Sequence, residues 1–225
     1  MGREYRTLFF DLDDTLFDYT GDEKRCIEKV LHAHGVTPDF DIFEKYYSLD
    51  DWQIFKLGSI NPKTIISGRF ARMLQIMNIN DHASQMIDEF YEGMIASHSL
   101  KDFAIKLLEY LVKKHYKLYI TANGYSDIQR KRIKDAKIEK YFNGIFISEE
   151  MNIRKPCKAF FDYIINRIPE SNLKHILLIG DAPTADILGG INAKIDTAWL
   201  NNGICSCKYK YTYELKNLKE LTSIL

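Results

Sequence analysis

Four cysteines in 225 residues are too few, and too irregularly placed, for a disulfide framework. Cys26 and Cys157 stand alone, and Cys205 and Cys207 have neither a histidine nor a second pair near enough to complete a zinc site. Charge of one sign is missing too. Thirty-one Lys and Arg meet 31 Asp and Glu, which argues against a protein that grips nucleic acid through bulk basicity. No apolar run approaches the roughly 18 to 20 residues that span a bilayer. The first such run, Thr7 to Phe10, is too short for the core of a secretory signal. The expectation is a cytoplasmic protein with free thiols, engaging neither membrane nor nucleic-acid polymer, monomeric or at most a weak homodimer. Disorder is excluded by what is abundant, since 46% of residues are hydrophobic and 13% aromatic.

Short runs that are apolar on both faces mark buried parallel strands. They lie at Thr7 to Phe10, Lys117 to Thr121, Ile145 to Ser148, Ile176 to Gly180 and Thr197 to Leu200. Between them, Leu100, Phe103, Ala104, Leu107, Leu108, Leu111 and Val112 recur at helical spacing, as do Phe160, Phe161, Ile164, Ile165 and Ile168 after Pro156. Alternation of this kind predicts an α/β fold, a doubly wound parallel sheet with helices on both faces. Tyr19 to Ser97 breaks the alternation, with helical periodicity alone and turns at Gly35 to Pro38, Gly58 to Pro62 and Asn78 to Asp81. It predicts four or five helices inserted just after the first strand, where an open sheet binds its ligand, and so a lid. The expected division is a core of 1–18 and 96–225 around a helical cap of 19–95.

Four short motifs follow strand ends. Asp11-Leu12-Asp13-Asp14-Thr15 places two carboxylates two residues apart, on one side of an extended chain, suited to nucleophilic attack and proton transfer. An acidic loop capping a helix would read the same way. Thr121-Ala122-Asn123-Gly124 offers a hydroxyl and a turn whose N–H groups could hold a phosphate oxygen, although Asn-Gly alone is an ordinary turn. In Arg154-Lys155-Pro156 the proline restrains Lys155, a cation able to neutralise phosphate or simply to be solvated. Gly180-Asp181-Ala182-Pro183-Thr184-Ala185-Asp186 adds two more carboxylates. An all-oxygen cluster favours Mg²⁺ over zinc, while an Asp early in a helix also needs no metal.

Taken in order, Asp-x-Asp-x-Thr, an apolar strand ending in Thr, Lys-Pro and Gly-Asp-x-x-x-x-Asp resemble the haloacid dehalogenase superfamily over essentially the whole chain. The resemblance implies a Rossmann-like core with an inserted cap, and a Mg²⁺-dependent phosphatase working through an aspartyl-phosphate. It makes Asp11 the nucleophile and Asp13 the general acid/base, with the Asp13 carbonyl on Mg²⁺. Thr121, Ala122 and Asn123 would bind phosphate, Lys155 would steady nucleophile and phosphoryl group, and Asp181 would ligate the metal. Asp186 would be a ligand or the support of one. Members that dehalogenate lack the second Asp, so Asp13 implies phosphatase chemistry. Asp14 stands where the motif commonly has Gly.

Ile147-Ser148-Glu149-Glu150, Arg154-Lys155-Pro156, Asp186 to Ala193 and the stretch from Trp52 through Gly58 to Arg69-Phe70 are similar to bacterial pyrimidine 5′-nucleotidases of the superfamily. Trp52, Phe55 and Arg69 are the candidates for contact with a base or sugar, although aromatics at helical spacing also pack cores. The alternatives are an FMN or sugar-phosphate phosphatase, a phosphomutase of the β-phosphoglucomutase type, and a non-enzymatic ligand-binding regulator. Mutases usually continue Asp-Gly-Val where this chain has Asp13-Asp14-Thr15.

Overall fold

The computed structural model describes residues 4–38, 43, 61–170, 172–201, 203 and 206–225. Its strands are β1 (Thr7–Phe10), β2 (Lys117–Ala122), β3 (Gly144–Ile147), β4 (Ile176–Gly180), β5 (Asp196–Leu200) and β6 (Tyr213–Leu215). In chain order the described α-helices are α1 (Tyr19–Ala33), α2 (Pro62–Ile76), α3 (Ala83–Ala96), α4 (Ala104–Lys113), α5 (Ser126–Asp135), α6 (Ser148–Met151), α7 (Lys158–Ile165) and α8 (Leu188–Ala193). A π-helical turn, Pro183–Ile187, leads into α8. The chain divides into two compact units, Met1–Tyr19 with His98–Leu225, and Thr20–Ser97.

The larger unit is built on one six-stranded sheet of order β3-β2-β1-β4-β5-β6, every pairing parallel. The expected doubly wound α/β architecture is therefore present. Alternation along each strand sends residues to opposite faces. Leu8, Phe10, Leu118, Ile120, Leu177 and Ile179 join Leu107, Leu108 and Leu111 of α4 in one core layer. Phe9, Tyr119 and Leu178 join Phe160, Phe161 and Ile164 of α7 in the other. Each fully buried Leu, Ile or Phe among them stabilises the fold by about 1.5–3 kcal/mol.

From β1 the chain winds outward through β2 and β3, then returns to the other side of β1 as β4. The reversal leaves a crevice between the carboxyl ends of β1 and β4, the usual ligand position in such sheets. Register places Phe10 level with Ile120 and Ile179. Asp11 therefore emerges beside Thr121 and Gly180.

The sequence-derived strand at 145–148 lies one residue earlier, because Ser148 opens α6. Strand β6 was not anticipated. The helix expected from Leu100 starts at Ala104, after Phe103 takes a positive φ of 69°.

Within the smaller unit, the described elements are all helical. Asn61 caps α2 by accepting from the Lys63 N–H at 2.9 Å, with Pro62 in the first turn, where its missing N–H costs nothing. The rest of the expected four or five helices falls on residues outside those described. Phe70 of α2 stacks on Phe90 of α3, with centroids 4.6 Å apart and both rings fully buried. Cys26 donates its thiol to the Phe90 carbonyl at 3.4 Å. A Cβ at Gly93 would overlap Cys26 Sγ, so the close approach of α1 and α3 requires glycine there.

Candidate active site

The four motifs arrive at one place because their strands end at one edge of the sheet. Asp11 follows β1 directly, its N–H donating to the Ile179 carbonyl at 2.9 Å. Lys155 reaches it from the loop before α7, and Asp181 and Asp186 come from the turn after β4. Lys155 Nζ donates to Asp11 Oδ1 and to Asp186 Oδ1, both at 2.6 Å. Thr15 bridges the remaining pair, its hydroxyl 3.4 Å from Asp11 Oδ2 and 3.4 Å from Asp181 Oδ1.

These groups are out of water: Asp11 is 8% exposed, Lys155 3% and Asp186 0%. Burial pushes the Asp11 carboxyl up to about 7, against the pull of Lys155 and with help from Asp186. Asp181 is likewise raised well above the usual carboxylate range, first by burial and then by Asp11 and Asp186. For Lys155 burial acts downward, but Asp11 and Asp186 together outweigh it and hold the ammonium above its ordinary value.

Three carboxylates and one ammonium carry a formal charge of −2 when all are ionised. One oxygen from each of Asp11, Asp181 and Asp186 lies within 4.8 Å of the others. An all-oxygen set with this charge fits Mg²⁺ in preference to a softer ion. The three acids are not equivalent, however. Asp186 uses Oδ1 on Lys155 and Oδ2 on the Ala182 N–H at 3.1 Å, so both of its oxygens are engaged within the protein. A Cβ on Gly180 would collide with the Asp186 carboxylate, and glycine at that position is what admits it. Trp199, at the end of β5, donates its indole N–H to the Asp181 carbonyl at 2.9 Å and fixes the turn that carries the acid.

The residues expected to cradle phosphate make hydrogen bonds within the protein. Thr121 is fully buried, and its hydroxyl donates to the Phe10 carbonyl at 3.3 Å. Strand β2 runs one residue further than the sequence suggested, to Ala122. Asn123 Nδ2 donates to the Lys155 carbonyl at 3.1 Å and its Oδ1 accepts from the Lys155 N–H at 2.9 Å. The Asn side chain thus fastens the lysine loop. The Gly124 N–H, expected to be available to a ligand, donates to Ser148 Oγ at 3.1 Å. The Lys155–Pro156 peptide bond is cis.

Of the residues proposed to read the substrate, Arg69 lies in the helical unit with its guanidinium 3.5 Å from Glu23. Trp52 and Phe55 lie outside the described residues.

Sequence reasoning passed over Gln129 and Arg132 on α5. Gln129 Nε2 donates to Asp13 Oδ2 at 2.7 Å, and Arg132 Nη1 donates to Asp13 Oδ1 at 2.6 Å. Their spacing of three is the only sequence signal, and it is submerged among Arg130, Lys131 and Lys134.

Residues 8–200 match the family model for haloacid dehalogenase-like hydrolases. The chain is 32% identical to the HAD-hydrolase YfnB of Bacillus subtilis (strain 168), over 99% of this chain and 96% of YfnB. A magnesium-bound crystal structure of YfnB, described as revealing interdomain movement, superposes with a TM-score of 0.84 over 99% of both chains at 31% identity. The pyrimidine 5′-nucleotidase PynA of Streptococcus pneumoniae (strain ATCC BAA-255 / R6) is 32% identical over 88% of this chain and 84% of its own. The pyrimidine 5′-nucleotidase YjjG of Escherichia coli (strain K12) is 30% identical over 86% and 85%.

Proposed function

The chain belongs to the haloacid dehalogenase-like hydrolases and is a phosphoric monoester hydrolase, and we propose that the esters it cleaves are pyrimidine nucleoside 5′-monophosphates. The observation that carries the chemistry is Lys155, buried and bridging Asp11 to Asp186 beside Asp181. The choice of nucleotide is supported by the likeness to PynA and YjjG along most of the chain.

In the proposed reaction Asp11 attacks phosphorus through a carboxylate oxygen, and the ester oxygen leaves as the aspartyl-phosphate forms. Lys155 offsets charge on the equatorial oxygens, assisted by the backbone at the Thr121 to Asn123 strand end. Asp13 gives its proton to the departing 5′-oxygen. It then takes one from the water that attacks the phosphorus of the aspartyl-phosphate, releasing inorganic phosphate and restoring Asp11. Mg²⁺ held by Asp11, Asp181 and the Asp13 carbonyl would screen the repulsion between the attacking carboxylate and the phosphate. Asp186 serves as the anchor of Lys155.

We assign the helical unit the part of a cap, contributing Trp52, Phe55 and Arg69 to contacts with base and sugar. The reading is supported by its point of insertion, nine residues beyond Asp11, and by its all-helical described elements.

The deciding measurement is phosphate release from UMP, dUMP, dTMP, FMN and sugar phosphates in Mg²⁺. The pyrimidine nucleotides should give the highest kcat/KM, and Asp11→Asn should remove turnover, by about 10⁴-fold or more. A preference for FMN or a sugar phosphate would overturn the substrate assignment. Full activity in Asp11→Asn would overturn the nucleophile.

A further inference from the structure

Asp13 is held from one helix by two side chains that form a closed ring with it. Gln129 Nε2 donates to one carboxylate oxygen at 2.7 Å and Arg132 Nη1 donates to the other at 2.6 Å. The same Nη1 also donates to Gln129 Oε1 at 2.9 Å. A guanidinium can only donate, so the amide must present its oxygen to Arg132 and its NH₂ to Asp13. The ring therefore closes in one orientation only.

The ring is not a surface ion pair. Arg132 is 2% exposed and Gln129 4%, whereas side chains of these types usually face water. The guanidinium also lies over the Phe17 ring, 4.5 Å from its centroid, and 5.6 Å from that of Tyr19. A Cβ on Gly124 would press on the Gln129 amide, so the turn after β2 leaves space for it. Burying an arginine is costly unless it is paired and hydrogen-bonded. Here Arg132 Nη1 pairs with the Asp13 carboxylate while bonding Gln129, in the loop that follows β1.

We propose that Gln129 and Arg132 are positioning residues for Asp13, fixing the carboxylate that transfers the proton. The inference rests on the acid/base part assigned to Asp13 above. Neither residue touches the reacting phosphorus in this scheme. They act through Asp13, and a misplacement of about 1 Å in such a group costs on the order of 10²-fold in rate.

The two half-reactions separate this role from general support of the fold. A 2,4-dinitrophenolate leaves without a proton, so the first step on 2,4-dinitrophenyl phosphate does not need Asp13, while hydrolysis of the aspartyl-phosphate does. For Gln129→Leu and Arg132→Met, single-turnover release of dinitrophenolate should stay within about threefold of the unaltered enzyme. Steady-state turnover of UMP should fall about 10²-fold, with KM little changed. Arg132→Lys, which keeps charge but not the planar fork, should lie between. Placed on Asp13→Asn, neither substitution should cause a further loss, because the group it positions is already gone.

Unchanged turnover in both variants would overturn the clamp, as would equal slowing of the single-turnover phase or additive losses on Asp13→Asn. If Arg132→Met fails to fold, Gln129→Leu carries the same test. Full UMP turnover in Asp13→Asn itself would overturn the acid/base reading beneath it, an outcome distinct from losing the clamp alone.

Discussion

Asp186 and Lys155 are joined at 2.6 Å with both side chains essentially closed to solvent. The acid is therefore spent on orienting a cation. Through that lysine it acts on Asp11, which receives the same ammonium at the same distance.

The division of labour among the three acids is testable. Asp186→Asn should lower kcat about 10²-fold or more by freeing Lys155, yet shift Mg²⁺ affinity less than Asp181→Asn does. For Asp181→Asn, metal affinity should fall by at least the 10–100-fold seen when even outer partners of a metal are removed. Binding is read directly by calorimetric titration. Equal loss of affinity in the two variants would make Asp186 a ligand.

Metal and pH should be linked in stability. Burial raises the Asp11 carboxyl of the metal-free protein from 3.8 to about 7, so the native state holds a proton that the unfolded chain releases. The stability from that proton is complete below about pH 4 and lost as pH climbs through about 7. A divalent ion favours the ionised carboxylate and acts the other way. The rise in Tm on replacing chelator with Mg²⁺ should accordingly grow from about pH 5 to about pH 8. Thermal melts across that range check it, and a constant or shrinking increment would contradict the assignment.

In the helical unit, Gly93→Ala should destabilise by about 1–3 kcal/mol by overfilling the space beside Cys26. Cys26→Ala removes the colliding sulfur, so the double variant should be more stable than the sum of the single losses predicts. Urea denaturation of the four proteins measures the coupling. Strict additivity would show that the two residues do not compete for one space.

How much could be read in advance follows from where each signal resides. The sheet was legible because β1 and β4 are apolar on both faces, and every residue of Thr7–Phe10 and Ile176–Gly180 is buried. Strand β6 escaped because Tyr-Glu-Leu has no apolar run and sits among lysines and tyrosines. The convergence of Asp11, Lys155, Asp181 and Asp186 was legible from the order of the four motifs taken together, since each motif alone has an ordinary reading as a cap, a turn or a solvated charge. The part played by Asn123 was hidden, since its amide makes two bonds to the main chain of a residue 32 positions away. The bond from the Thr121 hydroxyl to the Phe10 carbonyl was hidden likewise, since it crosses to a neighbouring strand 111 positions away. Arg132 was hidden for a different reason: a charged side chain on a polar helix reads as solvated until its partner is placed beside it.

The four residues of β1 lie in the middle of the sheet, hydrogen-bonded on one side to β2 and on the other to β4. A central strand has no free edge from which to fray, so its amides open only when the sheet comes apart. Catalytic alignment then has no early-warning stage. As the protein is heated, the Asp11 carboxylate, the proposed nucleophile, should keep its place until the whole unit melts, and remaining turnover becomes a thermometer for the folded fraction.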